Sequence, residues 1–354
     1  MYKLLRKISN SQLIIPIFAL FLLVIFNLIR DPAFFSISVI RNNYGNMVLS
    51  GNIVSILNGA SELAVLAIAM TMVTSATKGQ DISVGALAAI AGSVFVKILR
   101  TNVISVQVIL IAFIAACIVA ILFALFTGAL VSFFNIQPMI ASLILFTAGR
   151  PIAYWINGGA TPNVKNPLLT YVGSFIPGIS IPTPIIIVII FGIIVSLILR
   201  FTNLGLYTQA VGINEKAAGL NGINTVKIKL LTFMILGICA AIAGSINVCR
   251  IGLINHETIL IDIEMDAILA VAIGGNSLGG GKFKLAGSVF GAYIIQALTI
   301  TLYAMKIPST AVKAYKAIII IAIVVLGSPV VQRYALQFRN RILGKKTIIV
   351  EETN

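Results

Sequence analysis

The chain has 354 residues, of which 59% are hydrophobic and 10% charged, and a formal net charge of +15; its mean hydropathy is +1.07. Soluble domains are about half apolar. Here the apolar residues come in blocks of the length a bilayer-crossing helix needs, roughly 20 residues, which excludes a soluble globular protein and predicts an all-α, polytopic membrane protein. The positive charge has no interleaved basic and aromatic patch, so it reads as the Lys and Arg excess of cytoplasmic loops rather than as a nucleic-acid surface.

In chain order, apolar runs predict ten spans in one transmembrane domain over 1–354: 13–29, 53–74, 83–99, 107–134, 138–155, 184–199, 230–248, 263–275, 285–304 and 317–332. The first is longer than a signal-peptide core and no small-x-small cleavage site follows it, so it is expected to be retained. The fourth is too long for an upright helix and is expected to tilt or protrude. The eighth is too short to cross alone and is expected to be broken or re-entrant, which requires cover from protein or a water-filled cavity. Small residues four apart predict close helix contacts at Ala88/Gly92, Gly237/Ala241, Ala240/Gly244 and Gly287/Gly291.

Counting Lys and Arg with the N-terminus inside puts fifteen on the cytoplasmic side and eight opposite, with Lys97 and Arg150 inside spans. The asymmetry predicts both termini in the cytoplasm and makes 201–229 the large cytoplasmic loop. Three Cys without a CxxC and a single His, His256, predict no disulfide framework and no metal centre. No Ser-His-Asp set can be assembled either, so the chain is not expected to be an enzyme.

Within the large loop, "NEKAAGLNG" (214–222) reads as a short helix. Asn214 is a good N-cap, Glu215 places negative charge in the first turn, and Asn221-Gly222 is a fitting stop. Asn224 or Thr225 can cap the next span. Ala217 and Ala218 are small enough for another surface to approach the helix backbone, so the stretch reads either as a solvated connector or as a docking helix for a cytoplasmic partner. "GGNSLGGGKF" (274–283) fails the phosphate-loop pattern, because residue 276 is Asn and Phe follows Lys282. It reads as a turn, flexible or plain. Glu62, Asp81 and Asp266 lie in or at the ends of apolar runs, where a carboxylate is expected to face the bundle interior or a cavity. Asp81 with Ser83 is expected to cap the third span or to line a path. Asn58 precedes Glu62 by one turn, and both are expected to hydrogen-bond neighbouring helices.

Four blocks carry a resemblance. "NEKAAGLNG" resembles the EAA-type coupling loop of ABC importer permeases, through Glu215, Ala217, Ala218 and Gly222. "TKGQDISVGALAAIAG" (77–92) resembles the TGGIDLSVG signature of ribose-type sugar permeases through Gly79, Asp81, Ser83, Val84 and Gly85, with Lys78 and Gln80 standing in place of the usual Gly and Ile. "EMDAILAVAIGGNSLGGGKFKLAGSVFGA" (264–292), with Asp266, Gly274, Gly275 and Asn276, resembles the ELDAI and following glycine-rich run. "QPMIASLILFTAGR" (137–150) is the fourth. The chain is thus similar to ABC sugar importer permeases of the ribose and galactofuranose type. That resemblance implies a monosaccharide-translocating subunit of the inner membrane and a second permease copy or paralogue beside it. It also implies a cytoplasmic ATPase carrying ATP and Mg²⁺, docked at Asn214, Glu215, Lys216, Ala217, Ala218 and Gly222, and an extracytoplasmic sugar-binding protein. No cofactor is expected on this chain. Sugars are neutral and rich in hydroxyls, which makes Asn58, Gln137 and Asn276 candidate pore-lining groups. A permease for nucleosides or another small polar solute, and an ion-coupled secondary transporter, remain the competing readings.

Overall fold

The computed structural model describes residues 14–41 and 47–327. Leu13 at the start of the first predicted span, residues 328–332 at the end of the last, and both chain termini lie outside them. Fourteen α-helices occur among the described residues: α1 (Ile14–Arg30), α2 (Asn52–Gly59), α3 (Ser61–Thr77), α4 (Val84–Thr101), α5 (Val106–Phe133), α6 (Pro138–Ile156), α7 (Pro167–Gly173), α8 (Thr183–Phe201), α9 (Leu204–Ile213), α10 (Glu215–Leu220), α11 (Thr225–Ile251), α12 (Ile263–Ile273), α13 (Leu285–Ala304) and α14 (Ser309–Gly327). A small antiparallel hairpin pairs β1 (Ser38–Arg41) with β2 (Met47–Ser50). Six of the helices, α4, α5, α6, α8, α11 and α13, are long and apolar enough to cross a membrane. A seventh span results if α2 and α3, bent by 40° at their junction, count as one.

The bundle is built around α3. Every residue from Ser61 to Ala76 is buried, and α8, α9, α11, α12 and α13 all pack against it. Its sequence, SELAVLAIAMTMVTSAT, has no polar face because it has no exposed face. Helices with one lipid-facing side differ. On α5, Ala112, Ala116, Ala120 and Ala124 are buried at four-residue spacing while Leu110, Ile114, Ile118 and Leu122 are exposed.

Small residues set the helix spacing, since apolar side chains gain little by leaving lipid for protein and packing must hold the helices together. A side chain at Gly237 would come within 2.7 Å of the Ile121 Cα on α5. One at Gly244 would strike the Ala88 carbonyl of α4, and ones at Gly287 and Gly291 would strike the Gly274 and Ala270 carbonyls. Gly92 lies against Val248. The four-residue small pairs therefore sit at helix crossings.

Two stretches interrupt the helical pattern. Between α3 and α4, residues 78–83 are non-helical, and Asp81, Ile82 and Ser83 are buried. Helix α12 has eleven residues, about 16 Å of rise against a hydrocarbon core of about 30 Å. It is entered through an irregular segment with left-handed backbone at Leu260 (φ 46°) and Asp262 (φ 64°).

Because the Gly244 crossing is backbone on backbone, Gly244→Val is expected to destabilise the bundle by at least the ~1–3 kcal/mol of a core overpacking. Gly219→Ala, where nothing lies within 4 Å, is expected to be neutral. Thermal unfolding of the two variants in detergent measures the difference.

Candidate functional site

Helix α10 forms as its sequence suggests. The Asn214 side chain accepts a hydrogen bond from the Ala217 amide at 3.1 Å, Glu215 opens the first turn, and Gly222 supplies φ +80° just past the end. Asn224 then caps α11 through the Lys227 amide at 2.9 Å. The helix is held by an ion pair absent from the sequence reading: Lys229 Nζ lies 2.6 Å from Glu215 Oε1, with the lysine side chain 5% and the glutamate 41% exposed. Lys216, Ala217, Gly219 and Leu220 point outward, Leu220 with 90% of its surface exposed. Ala218 does not. It is buried in a small apolar cluster with Val211 and Ile228, so its size serves the packing of α10 on its own chain rather than the approach of another molecule.

Behind α10 three segments meet through backbone. The Ser75 carbonyl near the end of α3 accepts from the Gly281 amide at 3.1 Å, and the Ser75 hydroxyl donates to the Gly281 carbonyl. Gly212 of α9 presses on the same carbonyl so closely that a Cβ there would overlap it. The glycine-rich turn 274–284 is thus locked against the end of the central helix. Gly275 has φ +78° and Gly274 abuts the Gly287 backbone. Asn276 is 6% exposed and closes the turn. It donates to the Lys284 carbonyl at 3.0 Å and the Ser288 hydroxyl at 2.8 Å, and accepts from the Lys284 amide at 2.7 Å. Those bonds occupy its amide, so it braces the turn.

Further along the fold, the two interrupted spans meet at Gly85. A Cβ at this position would strike Glu264 Oε2 at the start of α12 and stand 3.4 Å from Arg150 Nη2 on α6. Arg150 Nη1 donates to the carbonyls of His256, Glu257 and Ile259 at 3.0, 3.2 and 3.0 Å. Asp81 is fully buried, and one of its oxygens accepts from the Ser83 amide at 2.7 Å and the Ser83 hydroxyl at 2.6 Å. The Ser83 hydroxyl makes no cap bond to α4; it donates to Asp81. The second Asp81 oxygen, Glu264 Oε2 and Arg150 Nη2 are buried without a hydrogen-bond partner. Gly79 packs on the Pro138 ring, 2.9 Å from where its Cβ would stand. Gln137, next to that proline, is exposed.

At the far end of α3, Arg250 of α11 gathers the remaining polar candidates. Its guanidinium lies 2.9 Å from Glu62 Oε1 and donates to Asn58 through the carbonyl at 2.8 Å and the side-chain oxygen at 3.1 Å. Asn58 and Glu62 thus share one partner across the α2–α3 bend. Asp266 is separate and pairs with Lys316 of α14 at 2.7 Å. Arg150 and Glu264 are the residues sequence reasoning passed over. An arginine inside an apolar run was the available signal.

Residues 52–327 match the family described as branched-chain amino acid transport system / permease component. The chain belongs to that family. The galactofuranose transporter permease protein of Escherichia coli K12 is 39% identical to this permease over 280 residues, covering 79% of this chain and 80% of that protein. The fructose import permease protein of Bifidobacterium longum is 35% identical over 344 residues, covering 95% and 93%. The ribose import permease protein of Escherichia coli K12 is 32% identical over 302 residues, covering 82% and 90%. No solved structure matches the chain. Family and apolar helices together make it a multi-pass membrane protein.

The half-exposed Glu215 tethers a buried ammonium, and pairs of that exposure contribute about 1 kcal/mol. Glu215→Gln is expected to speed amide hydrogen exchange over 215–222 roughly fivefold, with the Glu215→Gln/Lys229→Met double variant recovering part of the protection, since it buries no lone charge. Exchange mass spectrometry reads both.

Proposed function

We propose that this permease is the membrane subunit of an ABC importer that passes a monosaccharide from an extracytoplasmic binding protein into the cell. The observation that carries this reading is α10: a capped helix presenting Lys216, Ala217 and Leu220 outward while its root at Gly212 lies against the end of the buried central helix. A push on such a helix reaches the bundle core through backbone contacts, which is what an ATPase docked in the cytoplasm requires. ATP and Mg²⁺ belong to that partner, and this chain contributes transport rather than catalysis.

The sugar class rests on the relatives, which are named for galactofuranose, fructose and ribose. The family description names branched-chain amino acids instead. Identities of 32–39% over most of the chain favour the sugar. Selection among sugars falls mainly to the binding protein in this reading. The lysine and arginine distribution of the sequence supports placing α10 and both termini on the cytoplasmic side of the inner membrane. The permease works as a pair, with a second copy or a paralogue.

Proteoliposomes holding the permease, its ATPase and its binding protein test the proposal. Uptake of a pentose or hexose that requires ATP and the binding protein is expected; uptake of leucine in place of any sugar overturns the substrate class, and uptake that persists without the ATPase overturns the importer reading. Leu220→Asp is expected to lower ATPase co-purification at least about tenfold, the scale of one lost interface anchor. Its level in the membrane should be unchanged, because Leu220 packs on nothing in its own chain.

A further inference from the structure

Two of the positions at which the sequence departs from the sugar-permease signature, Lys78 and Gln80, carry side-chain donors where that signature has glycine and isoleucine. Both donors are used. Lys78 Nζ donates to the Ile213 carbonyl at 3.1 Å, the last residue of α9 and the neighbour of the Asn214 cap. Gln80 Nε2 donates to the Leu278 carbonyl at 2.9 Å, in the glycine-rich turn between α12 and α13. The Lys78 stem also lies against this turn: a Cβ on Gly280 would stand 2.9 Å from Lys78 Cγ.

Lys78 holds this place at a backbone cost. It caps α3 in the left-handed conformation, φ 59°, which a glycine adopts without penalty and a lysine does not. The side chain at this left-handed position is the one that reaches the Ile213 carbonyl.

We propose that Lys78 and Gln80 are positioning residues, a two-pronged strut that ties the coupling helix to both interrupted spans. The inference rests on the importer reading for its functional meaning, and on the geometry alone for the mechanical link. When α10 is displaced, the Ile213 carbonyl at its root moves with it. The Lys78 prong passes that movement to segment 78–83, which leads to Asp81 and Gly85. The Gln80 prong holds the same segment to turn 274–284, which follows α12, the helix with Glu264 in its first turn. The two sides of the Gly85 junction therefore move together with α10. Without the prongs, the backbone contacts at Ser75 and Gly281 remain and the fold persists, but segment 78–83 is no longer fastened to either neighbour by its own side chains.

Both bonds lie near the surface, so their loss should hardly alter global stability, and Lys78→Gly should relieve the left-handed strain. Lys78→Gly/Gln80→Ile is the informative variant and Lys78→Arg, which keeps a donor, the control. In the purified chain, amides in 210–222 and in 274–284 are expected to exchange about threefold faster in the double variant, the scale of one modest hydrogen bond. Tm should be equal to or above wild type, and Lys78→Arg should behave as wild type. Unchanged exchange in either segment overturns the strut. That readout needs no transported solute, so it stands apart from any failure of the importer reading. In proteoliposomes, sugar moved per ATP hydrolysed is expected to fall by about the same factor while ATPase co-purification is retained. An unchanged ratio, or uptake and hydrolysis falling in proportion, overturns the coupling role.

Discussion

A helix with no side toward lipid is the constraint on which the rest of this bundle depends. From Ser61 to Ala76 the central helix is enclosed, and five other helices must reach it without leaving gaps. In lipid the packing itself has to favour association, and close packing around a central rod needs small residues where outer helices cross. This accounts for glycines whose missing side chains would strike a neighbouring backbone at Gly237, Gly244, Gly287 and Gly291, and for the alanine row on α5. It also explains why the one strongly polar residue near the start of α3, Glu62, is met by an arginine at 2.9 Å.

Enclosure also permits the helices to break. Backbone amides and carbonyls at membrane depth must find partners within the protein, and the irregular segments satisfy theirs with side chains from neighbours. The Ile82 amide donates to the Ser142 hydroxyl at 3.0 Å, and the Ser83 amide to Asp81. Arg150 serves three carbonyls of the segment before α12. Asn276 closes both strands of the turn after it. Several residues that look like candidates for solute contact are thus engaged in backbone repair. Among the buried polar atoms left without a hydrogen-bond partner are the second oxygen of Asp81, Glu264 Oε2 and Arg150 Nη2, the latter two converging on Gly85, where the two broken spans meet.

The sequence made one level of this structure readable and concealed another. Apolar runs and caps are local, so α5, α6 and α13 stand close to their predicted limits, α10 begins at its asparagine, and the shortness of α12 shows as a run too brief to cross. Small pairs four residues apart marked helix crossings for the same reason. Partnerships across the fold are not local. Nothing in "EKAAGL" says that Glu215 meets Lys229 fourteen positions on, or that Ala218 turns inward while Ala217 turns out, since a six-residue helix has too few turns to show a face. Asn276 reads as a pore candidate from its apolar neighbourhood alone, and only the path of the chain at Lys284 shows which backbone groups its amide meets. Arg150 was visible as a charge inside a span, yet its three carbonyl partners lie more than a hundred residues away.

The placement of α10 follows from these same two facts. On the importer reading proposed above, a coupling element has to be stable enough to hold its shape yet loosely enough attached to move, and α10 meets both requirements. Its cap and its ion pair to Lys229 are short-range and partly exposed, so they fix the helix at modest energetic depth. Its root, by contrast, is a backbone junction: Gly212 on the Ser75 carbonyl, with Gly281 on the other side. Close-packed interiors shift between discrete arrangements rather than yielding continuously. A displacement entering at Gly212 meets the Ser75 carbonyl backbone on backbone, so side-chain rearrangement at that contact can absorb little of it. It must pass to the end of α3 or to the turn. The central helix is enclosed on all sides, whereas the turn carries left-handed glycines at 275, 280 and 281 and follows a helix of only eleven residues. On that same reading the turn and α12 are the softer path, so movement imposed on α10 would be directed toward the half-span that carries Glu264.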